Sequence, residues 1–363
     1  MSRLSEIRCG TPAIGGAEVS VTRSESHVSE ELRAPEISDF SPFPKSWYRL
    51  CASRDIDRTP FARTVFNRRF VGYRNSNREA VVMDATCRHL GADLGLGKVV
   101  GSCIECPFHG WKYGSDGRCR EVPGATSAPD FAVQQVFPCQ ERHGSVYFFN
   151  GLEPTFPLPF FIDEVPQNYR SIDPRGFTAS CSWYMVNAHA FDVQHFLSVH
   201  GRRLLEPLQV DTPSPFARRS SYLAEVLGEK YSDRFLRWVI NDRVRITLTI
   251  WGGTFAVVTG DFGQRKSRFF VISEPLSDGH TRCEVIVFTP RISSRIVGPV
   301  AERLMLHIRR WLTTVYLRDE HSGLGSPRYN PLSLTENDHE MVKYFQWAAE
   351  LNSIQGDQRC KKH

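Results

Sequence analysis

Hydrophobic residues between about residue 43 and residue 150 occur in short runs that turn residues separate. Runs rich in Val, Phe, Tyr and Thr, ended by Asn, Ser or Gly, predict the strands of a small β-domain. The clearest runs are residues 64–66, 70–73, 80–83 and 145–149, and the last is expected to close the domain. Prolines at positions 154, 157 and 159 then predict a linker.

The second half of the chain mixes two patterns. Hydrophobic runs at residues 244–250, 269–272 and 284–288 predict strands, whereas longer segments at about 185–198 and 297–321 predict helices. An antiparallel sheet backed by helices is the simplest packing for these elements. The predicted fold class is therefore α+β, with a β-domain followed by an antiparallel-sheet domain.

Domain boundaries follow from these patterns and from composition. Residues 1–42 are rich in Ser, Glu, Gly and Arg and lack a sustained period, so we expect a disordered N-terminal arm. The β-domain is predicted at 43–153, the sheet domain at 154–355 and a tail at 356–363. A chain of 363 residues that is 41% hydrophobic can bury the cores of two such domains.

Charge and cysteine usage narrow the class of protein. The net charge of +5 is modest and the Lys and Arg residues are dispersed, which argues against nucleic acid as a partner. No run of about 18 apolar residues occurs, and the first residues lack the apolar stretch of a signal peptide. The ten cysteines are scattered, which favours a reducing compartment. We expect a cytoplasmic protein that has no membrane partner.

Two short Cys/His pairs carry the most specific chemistry. Cys87 is followed by His89, and Cys106 is followed by His109. In a Rieske [2Fe–2S] centre two thiolates hold one iron and two imidazoles hold the other, so the chain must supply two such pairs. The glycines after the two histidines permit turns that point amide N–H groups at the cluster sulfurs. Trp111 is expected to shield the cluster from water.

Zinc is the alternative metal for these cysteines and histidines. Cys103 and Cys106 form a C-x-x-C pair, and His89 or His109 would complete a structural zinc site. That interpretation leaves the His-Gly-Trp-Lys-Tyr segment after the second pair without a role. Cys103 and Cys119 are better interpreted as buried or structural thiols.

A second group of candidate ligands lies in the segment 187–200. Asp192 and His195 are three residues apart, which places them on one face of a helix. His200 would point away on a continuous helix, so the helix is expected to end near residues 198–199, before Gly201. Two histidines and a carboxylate form the facial triad of a non-haem Fe(II) oxygenase, which leaves positions open for dioxygen and substrate.

With both motifs in this order, the chain from about Trp47 to Trp347 resembles the catalytic α subunit of the Rieske non-haem iron oxygenases, also called aromatic-ring-hydroxylating oxygenases. The resemblance implies an N-terminal Rieske domain and a C-terminal helix-grip domain like that of START and Bet v 1 proteins. It assigns Cys87, His89, Cys106 and His109 to the cluster, His195 and His200 to the mononuclear iron, and Asp192 to an electron-transfer bridge between the subunits of a homotrimer.

The resemblance also implies a third iron ligand from a late helix. Asp319 is the first choice because it lies near the end of the predicted long helix, and Asp338 is the second. A solvated carboxylate on a charged helix face is the alternative for either residue. Many members have an asparagine four residues before the bridging aspartate, whereas this chain has Ala188 there and Asn187 beside it.

The implied reaction uses O2, with electrons delivered by a separate ferredoxin or reductase. No nicotinamide or flavin motif occurs in the chain, so NAD(P)H is expected to act through that partner. Similarity to the aminopyrrolnitrin-oxygenase subset favours C- or N-hydroxylation, a monooxygenation, of an organic molecule of secondary-metabolite type. The alternatives are aromatic-ring dihydroxylation (a dioxygenase reaction), oxidative demethylation, and a non-catalytic Rieske electron-transfer protein.

Overall fold

A computed structural model describes residues 33–228, 242–263, 265–322 and 327–357, together with Arg234 and Arg237. The chain from Ala34 onward forms one compact unit. Most of the predicted N-terminal arm and tail lies outside the described residues. The arm ends earlier than predicted, because Phe40 is buried and stacks on Tyr184 with ring centroids 3.9 Å apart.

Eleven short strands form three small antiparallel sheets between residues 47 and 149. They are β1 (Trp47–Ala52), β2 (Phe61–Val65), β3 (Arg68–Arg74), β4 (Ala80–Asp84), β5 (Lys98–Val100), β6 (Cys103–Glu105), β7 (Lys112–Tyr113), β8 (Cys119–Glu121), β9 (Val136–Phe137), β10 (Cys139–Arg142) and β11 (Ser145–Phe149). Their orders are β1-β11-β10, β2-β3-β4-β9 and β5-β6-β7-β8. The strands predicted at 70–73, 80–83 and 145–149 are thereby confirmed.

Nine longer strands form one antiparallel sheet in the second half of the chain. They are β12 (Tyr169–Ser171), β13 (Arg175–Ala179), β14 (Arg202–Leu204), β15 (Gln209–Ser214), β16 (Ala217–Val226), β17 (Arg243–Trp251), β18 (Phe255–Phe262), β19 (Arg265–Pro275) and β20 (Thr281–Pro290). Strands β16 to β20 pair in chain order, β12 and β13 both pair with β20, and β14 and β15 both pair with β16.

The helices among the described residues are α1 (Trp183–Ala188), α2 (Val193–Ser198), α3 (Gly298–Ser322) and α4 (His339–Asp357). The prediction of one helix over 185–198 was wrong. Asp192 interrupts it with an extended backbone (φ −97°, ψ 98°), and its carboxylate caps α2 by accepting a hydrogen bond from the His195 amide. An aspartate at this position competes with the helix for the backbone N–H.

The two faces of the nine-stranded sheet pack against different parts of the chain. On one face Ile246 and Leu248 lie in a cluster with Phe196 of α2. On the other face Phe270 packs against Phe161 of the linker, with ring centroids 5.0 Å apart, and Phe255 packs near Tyr147 of β11. The sheet therefore separates the α1–α2 segment from the small sheets.

Two partly buried ion pairs also join the small sheets to the large one. Arg49 of β1 pairs with Glu284 of β20 at 3.3 Å, and Arg63 of β2 pairs with Glu274 of β19. Burial raises the pKa of Glu274, and the Arg63 and Arg282 guanidinium groups oppose that shift. Because a buried carboxylate that loses its partner is strongly destabilising, these pairs favour one arrangement of the two parts.

No helix among the described residues has the length and apolar character needed to cross a membrane.

Acidification is expected to weaken this junction through His143, in the turn between β10 and β11. Its ring packs against Phe160 and Phe288, with ring centroids 5.5 and 5.0 Å apart. Burial lowers the pKa of His143 to about 4. The unfolded chain therefore binds the proton more tightly, so stability from this group is full above pH ~6.5 and falls as the pH drops towards 4. We expect a loss of about 1–2 kcal/mol in the free energy of unfolding, measured by urea titration at pH 7, 5.5 and 4.5.

The matched variant is His143→Phe, which keeps an aromatic ring but cannot titrate. His143 has a positive φ of 53°, so the variant carries a strain cost that is the same at each pH. Its slope of stability against pH should be shallower than that of the wild type. Equal slopes would contradict the assignment.

Candidate metal-binding sites

Two loops that fold alike bring the four predicted cluster ligands together. In each loop the amide of the cysteine, Cys87 or Cys106, donates to the carbonyl five residues later, at 2.9 and 2.8 Å. The glycine four residues after each cysteine, Gly91 or Gly110, donates back to the cysteine carbonyl at 2.9 and 3.1 Å. These glycines have φ of 76° and 71°, which a residue with a Cβ adopts only with strain. The repeated geometry explains the repeated sequence pattern.

The two sulfur atoms are buried side by side. Cys87 and Cys106 are each 3% exposed and belong to the same hydrophobic cluster. Burial raises the pKa of the Cys106 thiol, the amides of Phe108 and His109 lower it by hydrogen bonding to the sulfur, and the adjacent Cys87 raises it. A bound cation would reverse the effect of burial and stabilise both thiolates.

Tyr113 supplies a further contact to this sulfur pair. Its hydroxyl oxygen lies 3.2 Å from the Cys87 sulfur. Burial and the neighbouring Cys87 both raise the pKa of the Tyr113 hydroxyl, which therefore keeps its proton. When Cys87 is a thiolate, this hydroxyl is the donor of the hydrogen bond.

The two imidazoles converge through their Nδ1 atoms. His89 Nδ1 and His109 Nδ1 are 3.1 Å apart. The His89 ring is parallel to Trp111, with centroids at 4.5 Å and an angle of 6°. Trp111 thus covers one face of an imidazole, whereas His109 is exposed.

These donors fit a two-iron cluster. Metal–nitrogen bonds of about 2.1 Å separate two nitrogens by about 3.0–3.4 Å for angles between 90° and the tetrahedral value. A Rieske centre requires its sulfur pair and its nitrogen pair on different irons. Accordingly, among the side chains that the structure describes, no three His, Cys, Asp or Glu groups meet at one point.

A second imidazole pair lies beside the large sheet. Helix α2 ends at Ser198, where the sequence predicted it to end, and the chain then turns so that His200 faces His195. Their Nε2 atoms are 3.1 Å apart, and each residue is 6% exposed. This spacing also fits two ligands of one metal ion.

Each histidine of this pair stacks on another ring. The His189 ring lies nearly parallel to His195, with centroids at 4.5 Å and an angle of 19°. The ring of Tyr316 in α3 stacks on His200, with ring centroids 4.4 Å apart and an interplanar angle of 13°. Sequence reasoning missed both rings. The available signals were a third histidine six residues before His195 and a tyrosine one helical turn before Asp319.

Asp192 and Asn187 hold the backbone around this pair. Asp192 is half-buried, and its Oδ1 accepts from the His195 amide at 3.0 Å. Asn187 is buried and donates to the Gly253 carbonyl at 2.8 Å, which fastens α1 to the turn between β17 and β18. The asparagine beside the family position therefore has a structural contact of its own.

The two candidates for a third ligand differ in what the structure describes. Asp319 lies in α3 one turn after Tyr316, but its side chain is outside the described residues. Asp338 is described, and its carboxylate accepts from the amide and hydroxyl of Thr335 at 2.8 and 2.9 Å. This capping contact before α4 argues against Asp338.

Comparison with known proteins identifies the domain that carries the two cysteine loops. Residues 46–138 match the family model of the Rieske [2Fe–2S] domain. This match spans both cysteine loops and most of the strands between β1 and β9. The predicted cofactor class is thereby confirmed.

Curated relatives match over part of the chain. Cholesterol 7-desaturase nvd of Xenopus laevis is 42% identical over 145 residues, which is 38% of this chain and 32% of the relative. Aminopyrrolnitrin oxygenase PrnD of Pseudomonas fluorescens is 38% identical over 164 residues (43% and 45%), and a 3-ketosteroid-9-alpha-monooxygenase oxygenase component of Rhodococcus rhodochrous is 33% identical over 168 residues (44% and 43%). The chain spans less than half the length of these relatives.

Solved structures share the fold over most of the chain. NdmA of Pseudomonas putida, solved with caffeine, has a TM-score of 0.64 at 18% identity, covering 86% of this chain and 91% of its own. Dicamba monooxygenase bound to dicamba has a TM-score of 0.60 at 15% identity, covering 88% and 99%. The chain thus carries a Rieske [2Fe–2S] domain, followed by an antiparallel-sheet domain with the fold of these two solved proteins, as the sequence predicted.

Removal of one hydroxyl should shift the potential of the cluster. A hydrogen bond to a cluster sulfur stabilises the reduced, more negative state, so Tyr113→Phe is expected to lower the midpoint potential. If this hydrogen bond stabilises the reduced cluster by about 1 kcal/mol more than the oxidised cluster, its removal lowers the potential of this one-electron couple by about 40 mV. The measurement is a redox titration followed by absorbance. Tyr147→Phe is the control, because it removes a buried hydroxyl from β11, and an equal shift in both variants would contradict the assignment.

Proposed function

We propose that this chain is the oxygenase component of a Rieske-type system. It would use O2 and electrons from a separate ferredoxin or reductase to monooxygenate an organic substrate. The observation that carries the proposal is the presence of two imidazole pairs, each with nitrogens 3.1 Å apart, one exposed in the cysteine loops and one buried beside the sheet. An electron carrier needs only the first pair.

The two parts of the chain, 43–153 and 154–355, would each hold one of the two metal centres. Cys87, His89, Cys106 and His109 would hold the [2Fe–2S] cluster; His195, His200 and Asp319 would hold a mononuclear Fe(II). The cluster supplies single electrons and the Fe(II) supplies O2 activation. The fold around the second pair excludes water, since both histidines are buried.

Asp319 is the proposed third ligand because of its position on α3. Tyr316, three residues earlier, contacts His200, and residues three apart lie on the same side of a helix. A carboxylate with two imidazoles completes the facial set that suits Fe(II) and leaves other positions open.

We propose that electrons cross between neighbouring chains of a homotrimer. His109 is exposed beside Phe108 and Leu90, which are 62% and 65% exposed. Asp192 lies beside Val193 and Leu197 of α2, which are 44% and 53% exposed. Each surface thus surrounds a polar group with apolar side chains that gain by being covered. Asp192 would bridge His109 of one chain and the histidine pair of the next.

The names of the relatives guide the substrate class. They refer to a ketosteroid, cholesterol and aminopyrrolnitrin, and the structural neighbours were solved with caffeine and dicamba. We propose C- or N-hydroxylation of a preformed, largely apolar ring compound, in secondary metabolism. Oxidative demethylation or ring dihydroxylation at the same site would require a different position of the substrate bond. The cytoplasmic location stays a prediction.

The test measures how fast O2 reoxidises the chemically reduced cluster in the holoprotein. If electrons leave through the second site, His200→Ala and Asp192→Asn should slow reoxidation by about 10–100-fold. Asp192→Asn should also retain both metals, because asparagine caps a helix as well as aspartate does. Gln194→Ala is the control on α2, because its exposed side chain belongs neither to the histidine pair nor to the apolar residues around Asp192. Equal rates in all variants would show that the protein is an electron carrier.

Mixing two inactive chains tests transfer between subunits. Cys106→Ser removes a cluster ligand and His200→Ala removes an iron ligand, so neither variant alone should reoxidise rapidly. In randomly mixed cyclic trimers about one quarter of the junctions join an intact cluster to an intact iron site of the neighbour. Co-expression should therefore restore about one quarter of the wild-type rate. No recovery in mixed oligomers would place the transfer within one chain.

A further inference from the structure

Helix α3 has two apolar faces, and the residues that the structure describes pack against only one of them. Its inner face contributes Leu306, Thr313 and Leu317 to the core, together with the buried Glu302. A second row lies on the opposite side, at intervals of three or four residues from the residue just before the helix. We call this row the outer face of α3; it consists of Val297, Val300, Leu304, Ile308 and Trp311.

The outer face is unusually exposed for its composition. Its five side chains are 46–71% exposed, and Ile296 beside it is 88% exposed. Eight of the twenty-three exposed large hydrophobic residues in the described part of the chain lie between residues 292 and 311. A helix that is apolar on both sides is normally buried, so this face is expected to be covered in the working protein.

The charges around the face identify the covering surface. Residues 291–311 contain five arginines and one acidic residue, Glu302. Glu302 is buried and pairs with Arg170 at 2.6 Å, so it presents no charge outward. Arg295 and Arg303 are exposed beside the apolar row, and Arg310 is half-buried. The rim of the face is therefore basic.

This combination fits an anionic lipid surface better than a second copy of the same face. Two copies related by a twofold axis would bring their arginines together without carboxylates between them. A bilayer interface accepts aliphatic side chains and tryptophan at the acyl boundary, and anionic headgroups attract the flanking arginines. Only one side of the helix would enter, so this contact is peripheral and needs no membrane-spanning segment.

We propose that the outer face of α3 docks the protein reversibly on anionic membranes. This goes beyond the proposed oxygenase function and also revises the expectation of no membrane partner, because composition and signal-peptide arguments test only spanning or exported segments. The same helix carries Tyr316 on His200, so docking would place the second metal site near the source of an apolar substrate.

The experiment is co-sedimentation of the full holoprotein with phosphatidylcholine vesicles, with and without phosphatidylglycerol. We expect binding to the anionic vesicles that weakens in high salt, and little binding to neutral ones. Leu304→Glu/Ile308→Glu should reduce the bound fraction about tenfold, and Arg295→Gln/Arg303→Gln should reduce binding to the anionic vesicles alone. The control is Leu332→Glu, because Leu332 is 92% exposed and outside α3.

Three results would overturn the proposal. Absence of wild-type binding to anionic vesicles excludes the docking. An equal loss in Leu332→Glu shows that any added negative charge has the effect. A change of oligomeric state in Leu304→Glu/Ile308→Glu, measured by light scattering, with vesicle binding unchanged, would assign the face to a second copy. Cluster absorbance and circular dichroism show whether each variant is folded, and they do not depend on lipid.

Discussion

Two nitrogen lone pairs that point at each other across 3.1 Å repel unless a proton or a metal cation lies between them. The chain brings two imidazole nitrogens to this distance twice, as His89 with His109 and as His195 with His200. The surrounding elements keep these rings together. A metal ion between the two rings of a pair would make one coordinate bond to each nitrogen, so each pair has a spacing that suits metal binding.

The two pairs are held by different means, which suits different tasks. Around the first pair, the repeated cysteine-loop hydrogen bonds fix the backbone and leave His109 at the surface. Around the second pair, ring stacking by His189 and Tyr316 fixes the planes of buried imidazoles. Exposure favours transfer to a partner, whereas burial favours controlled access of O2 and substrate.

Prediction from the sequence succeeded where the determining contacts are local. The cysteine loops and the end of α2 depend on neighbours within a few residues, so their pattern is visible in the chain. Strands β16 and β18 were not predicted, because polar residues such as Ser220 and Thr259 interrupt their hydrophobic runs. The break at Asp192 was also missed, since the local sequence does not distinguish an aspartate that caps a helix from one that lies within a helix. Tyr316 lies more than one hundred residues from His200 in the sequence, and no local pattern around either residue predicts their contact.

If one chain binds two distinct iron centres, the iron and acid-labile sulfide content of anaerobically purified protein reports both, together with EPR of the reduced state. We expect about three irons and two sulfides per chain with a Rieske signal, and selective loss of one iron in His200→Ala with that signal unchanged. Two irons and two sulfides in both proteins would contradict the second centre, and zinc without sulfide would contradict both.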